Sequence, residues 1–78
     1  MNTIITMKFD RWHQDYVWTV FHGAYEEEEG RTVYRRIFGF PTWIYGAKRA
    51  EALADRLHYR LTRRQMTFDE AIKGIPTN

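Results

Sequence analysis

The chain has no cysteine and no serine among its 78 residues. Those absences exclude a disulfide framework, a thiolate metal site, a cysteine nucleophile and any serine-based triad. Proline occurs only at Pro41 and Pro76, and no apolar run approaches the ~20 residues that a membrane-spanning helix needs. The first eight residues carry neither the charged region nor the apolar stretch of a secretory signal. Small secreted domains generally depend on disulfide staples. The expectation is therefore a soluble protein of the cytoplasm, of a cell or of an infected cell, with no membrane contact.

Phosphate-binding glycine motifs are missing as well. The three histidines, His13, His22 and His58, fall on three separate segments without a metal-ligand spacing. His58 reads as a surface residue on a helix flank. Asp10, His13 and Asp15 share one turn and could hold a divalent ion, but turns use aspartate routinely for backbone hydrogen bonds. Adjacent carboxylates occur only in an acidic run, where no apolar pocket would raise one pKa. These observations argue against catalysis and assign no cofactor and no metal.

What is present is a packed domain: 44% of residues are hydrophobic and 17% aromatic. This length allows one domain, which buries about 60% of its unfolded surface and has no room for a deep cofactor cleft. Ile5, Met7 and Phe9 alternate with Thr6 and Lys8, the pattern of a first strand. Residues 16–25, with Tyr16, Val17, Trp18, Thr19, Val20 and Phe21, form the strongest β segment. Residues 26–30 are a hairpin loop of four glutamates closed by Gly30, which can supply a positive φ. A third strand over 31–40 ends at Pro41, which has no N–H for a ladder.

From about Tyr45 or Gly46, Ala50, Leu53, Ala54, Leu57 and Leu61 recur at helical spacing and predict one amphipathic helix. Thr67-Phe68-Asp69-Glu70 then reads as a capping box opening a short helical turn, with Gly74 and Pro76 stopping it. The expected architecture is α+β: a three-stranded antiparallel meander packed by one helix, with a C-terminal helical turn.

One helix covers one face of such a sheet, yet both faces are apolar. In the second strand Tyr16, Trp18, Val20 and His22 oppose Val17, Thr19, Phe21 and Gly23. In the third, Tyr34, Phe38 and Phe40 share one parity and Val33 and Ile37 the other, with one arginine on each, Arg36 and Arg35. The loop with Trp43 and the C-terminal turn with Phe68 and Ile72 could fold back over part of the second face. The remainder is expected to be a docking surface for a protein, or for a second copy in a homodimer, with Trp18, Tyr34, Arg36 and Phe38 as its contacts.

Charge adds two candidate sites. Arg49, Arg56, Arg60 and Arg63 fall within an arc of roughly 60° on the helix, bordering the apolar stripe. They could meet phosphates or an acidic partner. Glu26, Glu27, Glu28 and Glu29 could neutralise that stripe, or imitate phosphates before a basic nucleic-acid channel. Residues 1–40 hold five basic against six acidic groups and residues 41–78 seven against four. So modest a split suits docking on a charged protein better than dedicated nucleic-acid binding.

The segment Gly46-Ala47-Lys48-Arg49-Ala50-Glu51-Ala52-Leu53-Ala54, after a β-meander, resembles the end of a double-stranded-RNA-binding domain. The likeness covers about half the chain, without the helix that precedes the strands in that family. It implies phosphate contacts from the start of the helix. In size and architecture the whole chain resembles small phage-encoded anti-defence proteins, including anti-CRISPR inhibitors. That resemblance implies inhibition without chemistry, by docking on a nucleic-acid-handling complex such as a CRISPR effector in the host cytoplasm. The competing expectation is a nucleic-acid-binding domain using Arg49, Arg56, Arg60 and Arg63.

Overall fold

The β-rich segments pair as an antiparallel meander in the computed structural model, which describes residues 2–76. Strands β1 (Asn2–Asp10), β2 (Asp15–Glu26) and β3 (Arg31–Pro41) form one sheet in the order β1-β2-β3. All three are longer than the alternation alone marks. The first turn is held by Asp10, whose Oδ1 accepts from the backbone N–H of Trp12 at 2.9 Å and of His13 at 3.0 Å. The second turn closes on Gly30 at φ 65°, its N–H donating to the Glu26 carbonyl at 2.9 Å.

After Pro41 the chain makes one helical turn, α1 (Thr42–Tyr45), before the main helix α2 (Ala47–Thr62). The sequence alone predicts a loop there. Trp43 stacks flat on His13, with ring centroids 3.9 Å apart, and so lies at the β1–β2 turn instead of covering a sheet face. Helix α3 (Phe68–Ala71) opens with the expected capping box: the Thr67 hydroxyl accepts from the Glu70 N–H, and the Glu70 carboxylate accepts from the Thr67 N–H.

All five periodic residues of α2, Ala50, Leu53, Ala54, Leu57 and Leu61, are buried. They pack with Val20, Phe40, Phe68, Ala71 and Ile75 into the core, with Ile5, Trp18, Phe38, Tyr45, Met66 and Ile72 at its margin. Burying side chains of this size stabilises by about 2 kcal/mol each, so this layer holds the domain together. Phe68 and Ile72 therefore pack on the helix side, which corrects the expectation that they fold over the opposite face. Among the described residues no element lies over the other face of the sheet.

Candidate functional site

Which residues lie on the uncovered face follows from the strand register. Ile4 pairs with Phe21 and Phe21 with Ile37, so these three form a row straight across the sheet. The outer two are 45% and 61% exposed, high values for large apolar side chains on an ordered sheet. Beside this row, Thr6, Thr19 and Gly39 form a flat stretch of small residues, followed by Lys8, Val17 and Pro41. The Lys8 ammonium sits 5.1 Å from the centre of the Phe21 ring, and Tyr34 meets that ring edge-on at 6.1 Å.

Tyr34 reaches this face because β3 carries a bulge. Pairing steps from His22–Arg36 to Gly23–Tyr34, leaving Arg35 with no residue opposite. The extra residue reverses the alternation. Arg36, Phe38 and Phe40 face the helix, while Tyr34 shares the open face with Phe21 and Ile37. Gly23 makes the bulge sterically feasible, because a Cβ there would lie 2.0 Å from the Val33 carbonyl oxygen.

The expected docking set is therefore divided. Trp18 and Phe38 lie on the helix side, half-buried at the margin of the core. Their parity was read correctly, but it is the covered one. Arg36 also lies on the helix side, its guanidinium 5.1 Å over the Phe68 ring and 3.2 Å from Asp69 Oδ1. Only Tyr34 keeps its place. Ile4, Phe21 and Ile37 share that face with it, and without the bulge no simple alternation groups them with Tyr34.

The charged candidates are divided in the same way. Glu26 is half-buried and accepts a bidentate contact from Arg35, both hydrogen bonds at 2.9 Å, so it leaves the acidic cluster. Glu27, Glu28 and Glu29 stay exposed at the hairpin tip. On α2, Arg60 does not extend the stripe, because its Nη1 donates to the Ala71 and Lys73 carbonyls, both at 2.9 Å, and ties α3 to the helix. Arg49, Arg56 and Arg63 are exposed and make no ion pair among the described residues. Seven residues apart, they recur about every 10 Å along one flank of the helix.

The turn carboxylates are engaged too. Asp10 is held below its ordinary pKa by the His13 backbone N–H and then by the His13 side chain. Among the described residues no three His, Cys, Asp or Glu side chains gather closely enough to hold a metal ion. Glu70 is lowered by the Thr67 backbone N–H of the capping box.

His22 received no role from sequence, yet it is the most unusual polar group in the fold. It is 4% exposed, its Nδ1 lies 2.7 Å from the Thr3 hydroxyl, and its Nε2 is buried with no hydrogen-bond partner among the described residues. Leaving such a group unsatisfied costs about 1–3 kcal/mol. Burial lowers its pKa below the ordinary value, and the nearby Arg36 charge adds to that. Its position between Val20 and the bulge, with Thr3 opposite on β1, was the only available signal.

Comparison with protein families, with curated proteins and with solved structures gives no match. Among the described residues no helix is long and apolar enough to cross a membrane.

Proposed function

We propose that this protein is a non-enzymatic binding module that docks on another protein through the uncovered face of its sheet. The reading rests on one observation: the row Ile4, Phe21 and Ile37, joined by Tyr34, has both its outer side chains exposed, on a face that no element of the described residues covers. Aromatic and aliphatic anchors at the centre of a patch, with charge at its rim, are the usual anatomy of a protein interface. The partner class we favour is a nucleic-acid-handling complex such as a CRISPR effector, which this protein would block in the manner of a small phage inhibitor. The free carboxylates of Glu27, Glu28 and Glu29 support that choice, since a compact polyanion suits a channel built for phosphates.

The test uses the Ile37→Glu variant. Ile37 is 61% exposed, so the change leaves the fold intact while placing a charge beside Phe21 on the patch. Purified wild-type chain should capture a defined set of host proteins that the variant does not. A variant that is folded by circular dichroism and captures the same set would overturn the reading. Homodimerisation through this face would appear in sedimentation as a concentration-dependent mass that Ile37→Glu abolishes.

A second reading is supported by the unpaired row of Arg49, Arg56 and Arg63, which would contact nucleic-acid phosphates directly. Three such contacts predict duplex affinity falling with salt at a log–log slope of about −2.7. Titration of duplex DNA and RNA across salt checks this. Salt-independent or absent binding would dismiss it.

A further inference from the structure

The two edges of the sheet are built differently. β3 carries the devices that keep an outer strand from pairing with another chain: the bulge at Arg35, the charges of Arg31, Arg35 and Arg36, and Pro41 at its end. β1 has neither bulge nor proline. Its nine residues keep an unbroken register with β2 and are mostly β-branched or large and apolar. Its two charges do not guard the edge either. The Lys8 ammonium lies over the Phe21 ring on the sheet face, and the Asp10 carboxylate is taken up by the first turn. The main chain of β1 bonds to β2 along one side, and among the described residues no other backbone group bonds to it along the other. Ile4, Met7 and Phe9 along it are about half exposed.

Strand β1 also matches itself. A second copy placed antiparallel about a two-fold axis through Thr6 pairs the whole strand: Thr6 with Thr6, Ile5 with Met7, Ile4 with Lys8, Thr3 with Phe9 and Asn2 with Asp10. Each pair joins residues of equal parity, so outward amides meet outward carbonyls and side chains keep their face across the junction. No like charges stand opposite each other. On the helix side, Met7 and Phe9 come to lie beside Ile5 and Thr3 of the second copy, and on the open face Ile4 lies beside the aliphatic stem of Lys8.

Charge favours this edge over the other. Lys48 and Glu51 border one shallow hollow with Met7, and Thr62 borders another with Thr3. The flank of α2 on the β1 side therefore runs through Glu51, Asp55 and His58 and, with Lys48, carries both signs. Arg49, Arg56 and Arg63 line the opposite flank, so two copies meeting at β3 would set arginine against arginine.

We propose that two copies of this chain join edge to edge through β1, as a two-fold dimer whose three-stranded sheets merge into one of six strands. The axis is perpendicular to the sheet, so both rows of Ile4, Phe21 and Ile37 lie on one side and both α2 helices on the other. The junction is formed by the strand edge and does not rest on the docking reading.

Sedimentation equilibrium of the full chain should show the mass rising from one chain to two between about 1 µM and 1 mM. Alternate amides of β1 should gain protection from hydrogen exchange over the same range. The chain has no cysteine, so Thr6→Cys introduces a single thiol. At the axis the two Cα atoms lie about 4.5–5.5 Å apart, within disulfide reach, and mild oxidation should link the dimer. Lys8→Cys sets the equivalent atoms about 14 Å apart and should not link. Thr6→Lys, folded by circular dichroism, opposes like charges at the axis and should weaken association about tenfold. Ile37→Glu, two strands away, should leave it unchanged. A mass of one chain at about 1 mM, association that Ile37→Glu abolishes, or Lys8→Cys linking as readily as Thr6→Cys would each overturn the proposal. Protection of the β1 amides that appears only with another protein bound would overturn it too, marking the edge as that protein's site.

Discussion

Replacing Trp18 and Tyr34 singly by alanine separates the two faces of the sheet in one experiment. Trp18 sits across from Met7 and Phe40 on the covered face, at the margin of the core. Truncating a fully buried tryptophan costs about 3–5 kcal/mol. Trp18 is half-buried, which brings the expected loss to about 2–3 kcal/mol. A domain of this length has ~4–12 kcal/mol in total, so that loss is a large fraction of its stability. At roughly 4–8 °C per kcal/mol for a chain of this size, the melting temperature should fall by about 10–20 °C. Tyr34, also half-buried but with a smaller ring, contributes an edge contact to Phe21 worth about 0.5–1.5 kcal/mol beyond the burial of that ring. Its truncation should lower the melting temperature by about 5–15 °C, less than that of Trp18.

Urea and thermal unfolding followed by circular dichroism give the stabilities, and partner capture below the melting transition gives the binding. Trp18→Ala should be much less stable yet capture the same proteins while folded. Tyr34→Ala should be more stable than Trp18→Ala and capture few or none. A Trp18→Ala protein with unchanged unfolding midpoint and lost capture would refute the assignment of faces. It would mean that the even-numbered residues of β2 are the ones in contact with the partner.

Two further outcomes test the interior. His22 has a folded pKa below its ordinary 6.5, so the stability its neutral form contributes is present above that value and is lost as pH falls from it towards the folded pKa. Asp10 and Glu70 are likewise depressed, and their contribution disappears only as pH falls below their ordinary 3.8 and 4.5. Urea midpoints should therefore decline in two stages on acidification, and a flat profile between neutral pH and 5 would contradict a buried neutral His22. Arg60→Gln removes both contacts to the Ala71 and Lys73 carbonyls and should cost about 1–3 kcal/mol, with faster amide exchange in α3. Unchanged exchange there would show that Arg60 does not hold α3 in solution.

The helical half of the fold was legible because its signals are local. Ala50, Leu53, Ala54, Leu57 and Leu61 repeat at the helical period, and Thr67 with Glu70 forms a box spanning four residues, so neither depends on distant chain. The single turn α1 was not legible, because four residues are too few to display a period and Pro41 predicts only that the strand stops. Strand β1 was read from residue 5, although it begins at Asn2. Pairing with β2 extends it, and pairing is not written in the alternation of one strand. Arg60 belongs to the same class. On the wheel it matches Arg49, Arg56 and Arg63, and only the return of the chain at Ala71 and Lys73 distinguishes it.

The open face shows most clearly where local reading fails. Alternation along β3 places Tyr34 with Phe38, and that inference holds for any strand whose register is continuous. One unpaired residue, Arg35, moves Tyr34 through the sheet and leaves Phe38 behind. What permits the move is on the neighbouring strand: Gly23 lacks the side chain that would otherwise occupy the path of the Val33 carbonyl. A glycine inside a β-rich segment is therefore a reason to suspend parity on the partner strand from that point onward. Gly39 inside β3 has no bulge opposite it, so a glycine permits a shift without requiring one, and it does not say which face the helix takes. That choice is energetic. The face with Trp18, Val20, Phe38 and Phe40 offers the larger continuous apolar surface to α2, whereas the other is interrupted by Thr6, Thr19, Gly39 and Lys8. The helix takes the more continuous face, and the interrupted one, with its single row of large side chains, is left uncovered among the described residues.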